Sequence, residues 1–288
     1  MKILRTGALL ILLSVLLVIV GGAIGGQNGL KIALGFAVLM NGISYFFSDK
    51  IALASSGAQR ASPEQVPRLY AVMERLAAKA NLPMPKLYVI PEAAPNAFAT
   101  GRNPRHASVA VTQGLLELMN DDELEGVIAH ELSHVRNYDI LTSSIAATIA
   151  GAITYLASMG RWAMLFGGFG RDRDDDREGG GLAALLMIFL APLAAFLLQL
   201  FLSRTREYSA DETGARMVGQ PYGLISALQK LGAYNQRIPT TALSPSTSAL
   251  CIVKPLFGSG TLSSLFSTHP PLEARIQALR EMTLTPQR

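Results

Sequence analysis

Apolar residues follow two rhythms along this chain: long runs almost free of charge, and segments whose apolar positions recur at helical or strand spacing. Four runs approach the roughly 20 residues a helix needs to cross a bilayer. They are Thr6–Gly26, Leu30–Phe47, Ile140–Gly160 and Leu182–Leu202. The first, after Lys2 and Arg5, is longer than a signal-peptide core and is followed by no convincing small-x-small cleavage site, so it reads as an uncleaved span. The GGQNG connection, Gly25 to Gly29, joins it to the second and predicts a helical hairpin. The third carries Thr142, Ser143, Ser144 and Thr148, which suit either a span or a buried helix of a soluble domain. The fourth contains Pro192 and Gln199, tolerated where neighbouring helices resatisfy the backbone. Between these last two, every residue from Arg171 to Glu178 is charged.

The intervening segments read as helix, strands, helix. Pro63 to Leu82 places Val66, Leu69, Val72, Met73, Leu76 and Ala77 near helical spacing and ends at Asn81 and Pro83. Leu87–Ile90, Ala97–Thr100 and Ser108–Thr112 are short β-like runs between turn residues, predicting a small sheet. Ser108–Thr112 is a candidate edge strand to which an extended peptide could add, though most such strands are only structural. From Asn120 the chain offers an N-cap, acids in the first turn, and Leu124, Val127, Ile128 and Leu132 at core spacing, predicting a helix.

Composition supports contact with lipid. Half of the residues are hydrophobic, 16% are charged, and mean hydropathy is +0.31. The net charge of +4 comes without a basic stripe interleaved with aromatics, which argues against nucleic acid as a partner. A single cysteine, Cys251, excludes an internal disulfide and any cysteine-based metal site, and its apolar neighbours suit a core position. Basic residues flank the spans at Lys2, Arg5, Lys50, Arg136, Arg204 and Arg206. With four spans, all these ends fall on one side, and the positive-inside rule makes it the cytoplasmic one. The Arg171–Glu178 loop, with three Arg and five acids, weighs against this only slightly.

The chemistry concentrates at HELSH, His130 to His134. Residues four apart share a helical face, so both imidazoles can hold one metal ion while Glu131 turns toward a water on it. A bare HExxH arises by chance, but this chain has four His, two of them here, on a well-formed helix. In SRTREYSADETGA, Glu207 and Asp211 are four apart beside Glu212, so one can ligate while the other orients a ligand imidazole. Read alone, this is a charged helix face carrying ion pairs. A hairpin of the third and fourth spans would instead return Glu207 to the surface where HELSH ends. His269 is either an oxyanion stabiliser or a cap of the helix beginning near Pro271; Asn96 either binds substrate backbone or makes an Asx turn. His106 has no metal-spaced partner and reads as a surface residue. Asn235 to Ser267, rich in Ser, Thr, Pro and Gly, is either a flap over the cleft or a surface loop.

PNAFATG, HELSHVRNYD, SRTREYSAD and STHPPLEARI, which occur in the family's order, resemble the HtpX heat-shock membrane proteases, a family related to the CAAX prenyl proteases. The resemblance implies a mainly α membrane protein: four transmembrane helices plus a zincin-like α+β metalloprotease domain with a small sheet. It implies one Zn2+ per chain held by His130, His134 and Glu207, Glu131 as base, Asp211 in support and His269 at the site. The expected organisation is a hairpin over residues 1–50, protease segments at 51–139 and 203–288, and a second hairpin at 140–202. The expected setting is the inner membrane with the site facing the cytoplasm, where unfolded or membrane proteins would be degraded under stress. A protein of this fold that had lost hydrolysis and served as a scaffold is the rival reading. A transporter is disfavoured because the spans hold no buried charge for a substrate.

Overall fold

The computed structural model describes residues 2–146, 204–237, 252 and 270–282. Helix α1, Lys2–Ser55, breaks at Gly25 and Gly26, the latter at φ 55°, a left-handed conformation open to glycine. The two arms fold back antiparallel: Asn41 Nδ2 donates to Ser14 Oγ at 2.8 Å, and a Cβ at Gly21 would collide with Gly29 and Ala33. Small residues and a polar bond thus seat the arms together, as between helices in lipid. Gly25–Ser55, 31 residues with 11% of its most apolar window buried, is long and apolar enough to cross a membrane. Among the described residues it alone passes that test, the first arm holding a shorter apolar helix, Leu10–Ile19. The predicted fourth span and the third beyond Ala146 fall outside the described residues, as do Cys251, His269 and most of Asn235–Ser267.

Four strands follow the hairpin: β1, Gln59–Arg60; β2, Lys86–Ile90; β3, Ala97–Gly101; and β4, Ala107–Thr112. Their spatial order is β1-β2-β4-β3, with β2 and β4 parallel and the other pairs antiparallel. The edge-strand reading of Ser108–Thr112 is therefore corrected: β4 is central, buried along its whole length, and β3 is the edge on that side. The turn from β3 into β4 depends on Gly101, at φ 137°, where a Cβ would collide with the His106 carbonyl. His106 itself is exposed and bonded to Asn103.

Helix α2, Pro67–Ala80, starts four residues later than the apolar spacing predicted and stops at Asn81, whose φ of 52° makes a left-handed cap. A short α3, Gln113–Leu118, leads into α4, Asp121–Arg136. Asn120 and Glu123 form a capping box there, and three acids occupy the first turn. Among the described residues, further helices are α5, Arg204–Val218; α6, Tyr222–Arg237; and α7, Leu272–Glu281. Helix α4 packs against α2, α5, α6 and β3, and its Leu124, Val127, Ile128 and Leu132 are buried in one core with Leu69, Met73, Leu76, Leu228 and Leu231. A smaller cluster joins Ala52 and Leu53 of α1 to Phe98 of β3 and Ala110 of β4. The sheet is thus covered by the helical core on one side and by the end of the hairpin on the other.

Candidate metal centre

Helix α4 brings the motif to the centre of the core. His130 and Glu131 are 0% and 1% exposed, burial that polar groups tolerate only with partners. Helix α5 lies against α4 with Gly214 at the contact, where an added Cβ would stand 3.0 Å from the His130 backbone nitrogen. That close approach brings Glu207 and Asp211 to the imidazoles. Nε2 of His130 and Nε2 of His134 are 3.2 Å apart, and each lies 3.6 Å from an oxygen of Glu207. The ligand atoms of these three side chains all fall within 4.8 Å of one another.

The outer nitrogens are also engaged. His130 Nδ1–H donates to Asp211 Oδ1 at 2.8 Å, and His134 Nδ1 lies 3.5 Å from Asp139 Oδ2. Asp139 is brought back by a tight turn after α4, with Tyr138 at φ 60° opening a helical segment at 139–146. Behind Asp211 stands Arg275 of α7, wholly buried, its guanidinium forked onto the carboxylate at 2.8 and 2.7 Å and donating to the Ile252 carbonyl at 3.0 Å. Ile252 N–H in turn donates to the Ala97 carbonyl of β3. One chain of hydrogen bonds thus runs from the edge strand through Arg275 and Asp211 to His130.

Electrostatics follow from this burial. Burial holds His130 below the ordinary imidazole range, outweighing the pull of Asp211, which favours the neutral ring with Nδ1–H committed to Asp211 and Nε2 turned toward His134 and Glu207. Burial opposes charge on His134 too, but the Asp139 hydrogen bond and the charges of Glu207 and Glu131 together move it upward. Burial would raise Asp211; the charge and bonds of Arg275, with His130, outweigh it and hold the carboxyl low. Burial pushes Glu131 up to about 7, with Glu207 adding to the rise and His134 opposing it.

This donor set fits a metal. Two nitrogens on one tetrahedral ion at about 2.1 Å would lie about 3.4 Å apart, close to the 3.2 Å observed. Nitrogen lone pairs facing each other at that distance repel unless a cation or a proton lies between them.

A model described as peptidase family M48 matches residues 63–283, most of the chain. The chain belongs to that family. It is similar to a protein described as "Protease HtpX homolog" from Desulfatibacillum aliphaticivorans, 56% identical over 271 residues, covering 94% of this chain and 86% of the relative. A protein so described from Syntrophobacter fumaroxidans is 53% identical over 279 residues (96% and 98%), and one from Pyrococcus furiosus 49% over 281 (97% and 96%). The solved structure of S. mikatae Ste24p shares the fold at TM-score 0.53 and 19% identity; the match covers 92% of this chain, which spans 61% of that one. The resemblance read from the motifs therefore holds, and this M48 peptidase is a membrane-associated metalloprotease whose clustered His130, His134 and Glu207 suit a metal.

Of the residues singled out from sequence, His130, Glu131, His134, Glu207 and Asp211 converge here, and His269 lies outside the described residues. Asn96 is buried, its Oδ1 accepting from the Ala97 N–H at the start of β3. Arg275 and Asp139 lie within STHPPLEARI and HELSHVRNYD, but the spacing of metal donors singles out neither of them. The sequence signal for Arg275 was an arginine on the apolar side of a short helix, in line with Leu272 and Leu279.

Proposed function

We propose that this chain is a zinc-dependent endopeptidase of the cell inner membrane that hydrolyses peptide bonds of misfolded or damaged membrane proteins, its site facing the cytoplasm. The observation that carries the reading is the convergence of His130, His134 and Glu207 with the Glu131 carboxyl buried beside them. Two imidazoles and one carboxylate are the donor set of zinc peptidases, leaving one position open for substrate and water. Zinc held there would supply Lewis acidity toward the scissile carbonyl and bring the pKa of a water toward about 7.

The protein's own groups supply the rest. Glu131, buried beside the three ligands, takes the proton from the attacking water and returns it to the leaving amine. Asp211 holds the His130 tautomer that leaves Nε2 unprotonated, and Arg275 keeps Asp211 ionised. Asn96, at the start of the edge strand, is assigned to the substrate main chain, and His269 to the developing oxyanion. The family and the membrane-spanning arm of α1 support a protease at the membrane; the stress setting and substrate class rest on the likeness to HtpX.

The test is to purify the full chain and measure zinc content and degradation of an unfolded protein, side by side for three variants. Glu131→Gln should keep its zinc and lose about 10²–10⁴-fold or more in activity, since base catalysis alone is worth that much. His130→Ala and His134→Ala should lose zinc and activity together. Near wild-type hydrolysis by zinc-loaded Glu131→Gln would sink the mechanism.

A further inference from the structure

Apart from the metal centre, a cavity of about 710 Å³ lies where the end of the α1 hairpin meets the turns after β3 and α4. None of the metal-centre residues lines it. Arg102, Arg105 and Arg136 line it together with Tyr45, Tyr138 and Leu141, and no Asp or Glu does. Among the described residues, none of these arginines forms an ion pair, whereas Arg68, Arg75, Arg216 and Arg275 each have one. Three permanent cations gathered at one cavity repel each other, and their planar forks match phosphate oxygens.

The position of the cavity selects the kind of phosphate. The second arm of α1 runs from the break at Gly26 to Tyr45, a rise of roughly 30 Å for a helix of about 20 residues, which is the thickness of a bilayer's hydrocarbon core. At that end Tyr45, Phe46 and Phe47 stand 40%, 56% and 47% exposed, as aromatic residues do at the headgroup level. Lys50 lies 5.3 Å from the Phe47 ring and Arg102 lies 5.8 Å from the Phe46 ring, so the cations stand beside the aromatic belt. Tyr138, itself exposed, and Leu141 of the 139–146 helix line the same cavity.

We propose that this cavity binds the headgroup of an anionic membrane phospholipid, with Arg102, Arg105 and Arg136 on the phosphate and Tyr45, Tyr138 and Leu141 against the glycerol and first methylenes. Arg136 is the last residue of α4, so the bound lipid ties the helix carrying His130 and His134 to the membrane surface. The proposal rests on the membrane placement of α1 and is independent of peptide hydrolysis.

The full chain, purified in neutral detergent, is titrated with dioleoylphosphatidylglycerol or dioleoylphosphatidylcholine, and lipid retention is read by native mass spectrometry. The wild type should retain one phosphatidylglycerol in preference to phosphatidylcholine. At about fivefold per neutralised cation near a membrane surface, the Arg102→Gln/Arg105→Gln/Arg136→Gln variant should lose on the order of 100-fold in that preference. Arg105→Gln alone, in an exposed turn, should lose about fivefold, and keeps the test usable if the triple variant fails to fold. The same charge change made elsewhere, Arg60→Gln/Lys86→Gln/Arg280→Gln, should leave the preference intact. Equal retention by the wild type and the folded triple variant overturns the site. Displacement of the lipid by millimolar inorganic phosphate, or by an oligoglutamate peptide, overturns it in favour of a free anion or an acidic polypeptide. Solubility without detergent and retention of neither lipid would instead overturn the membrane placement itself.

Discussion

Glu207 and Glu212 test at residue scale how far helical spacing decides chemistry. Glu207 lies 3.6 Å from both imidazoles, whereas Glu212, five residues on, is exposed and paired with Arg216. Glu207→Gln should therefore lose metal to a competing chelator, Glu212→Gln should not, and Asp211→Asn should fall between them at about 10- to 100-fold. Equal metal content in the three variants would remove Glu207 from the ligand set. Asp211 also carries a pH signature. Its folded pKa is depressed, so its contribution to stability is present above the ordinary aspartate value and is lost as pH falls through the lower folded one. Thermal unfolding of metal-free protein along a pH series should show an acid limb that Asp211→Asn lacks. Arg275→Met leaves a buried carboxylate uncompensated and should cost about 3–5 kcal/mol, measured by denaturant unfolding; a cost under about 1 kcal/mol, the surface-pair range, would show that Arg275 is not the partner it is drawn to be. These roles differ in legibility. Spacing along one helix placed His130, Glu131 and His134 together. Arg275 lies 64 residues from Asp211 and 145 from His130, and no local pattern relates them.

At the scale of elements, the metal centre depends on how closely α5 approaches α4. Gly214 permits it: a Cβ there would stand 3.0 to 3.2 Å from the backbone of His130 and Ala129. Gly214→Ala should push the helices apart by a few tenths of an ångström, cost about 1–3 kcal/mol by overpacking, and weaken metal binding, because Glu207 and the imidazoles sit on opposite sides of that contact. Metal affinity and thermal stability measured together decide it; a stabilised variant with unchanged affinity would mean that the contact does not set the ligand spacing. Element type was largely legible, since β2, β3 and β4 and helices α2 and α4 start or stop within a few residues of their predicted bounds. Strand order was not. The β4 pattern suits a central or an edge strand equally, because alternation records which face is buried and says nothing about which backbone lies alongside.

For the whole molecule, the placement of basic residues predicts both ends and the HELSH helix on the cytoplasmic side. A cysteine introduced at Asp175 should be labelled by an impermeant reagent in intact cells and one at Ser56 protected; the reverse pattern would overturn the topology. Ala52 and Leu53, just past the aromatic end of α1, pack on Phe98 and Ala110 and hold the sheet close to that end of the hairpin, whichever side it faces. By itself the sequence determined the apolar runs, the helix bearing HELSH and the pairing of donor types, because each follows from spacing along one segment of chain. Only the tertiary structure decided that β3 and not β4 is the edge, that Asp139 returns to His134, and that Arg275 locks Asp211. Strand order and the Arg275–Asp211 pair join separate segments of chain and exist only once these have packed, while Asp139, five residues from His134, faces it only through the turn at Tyr138.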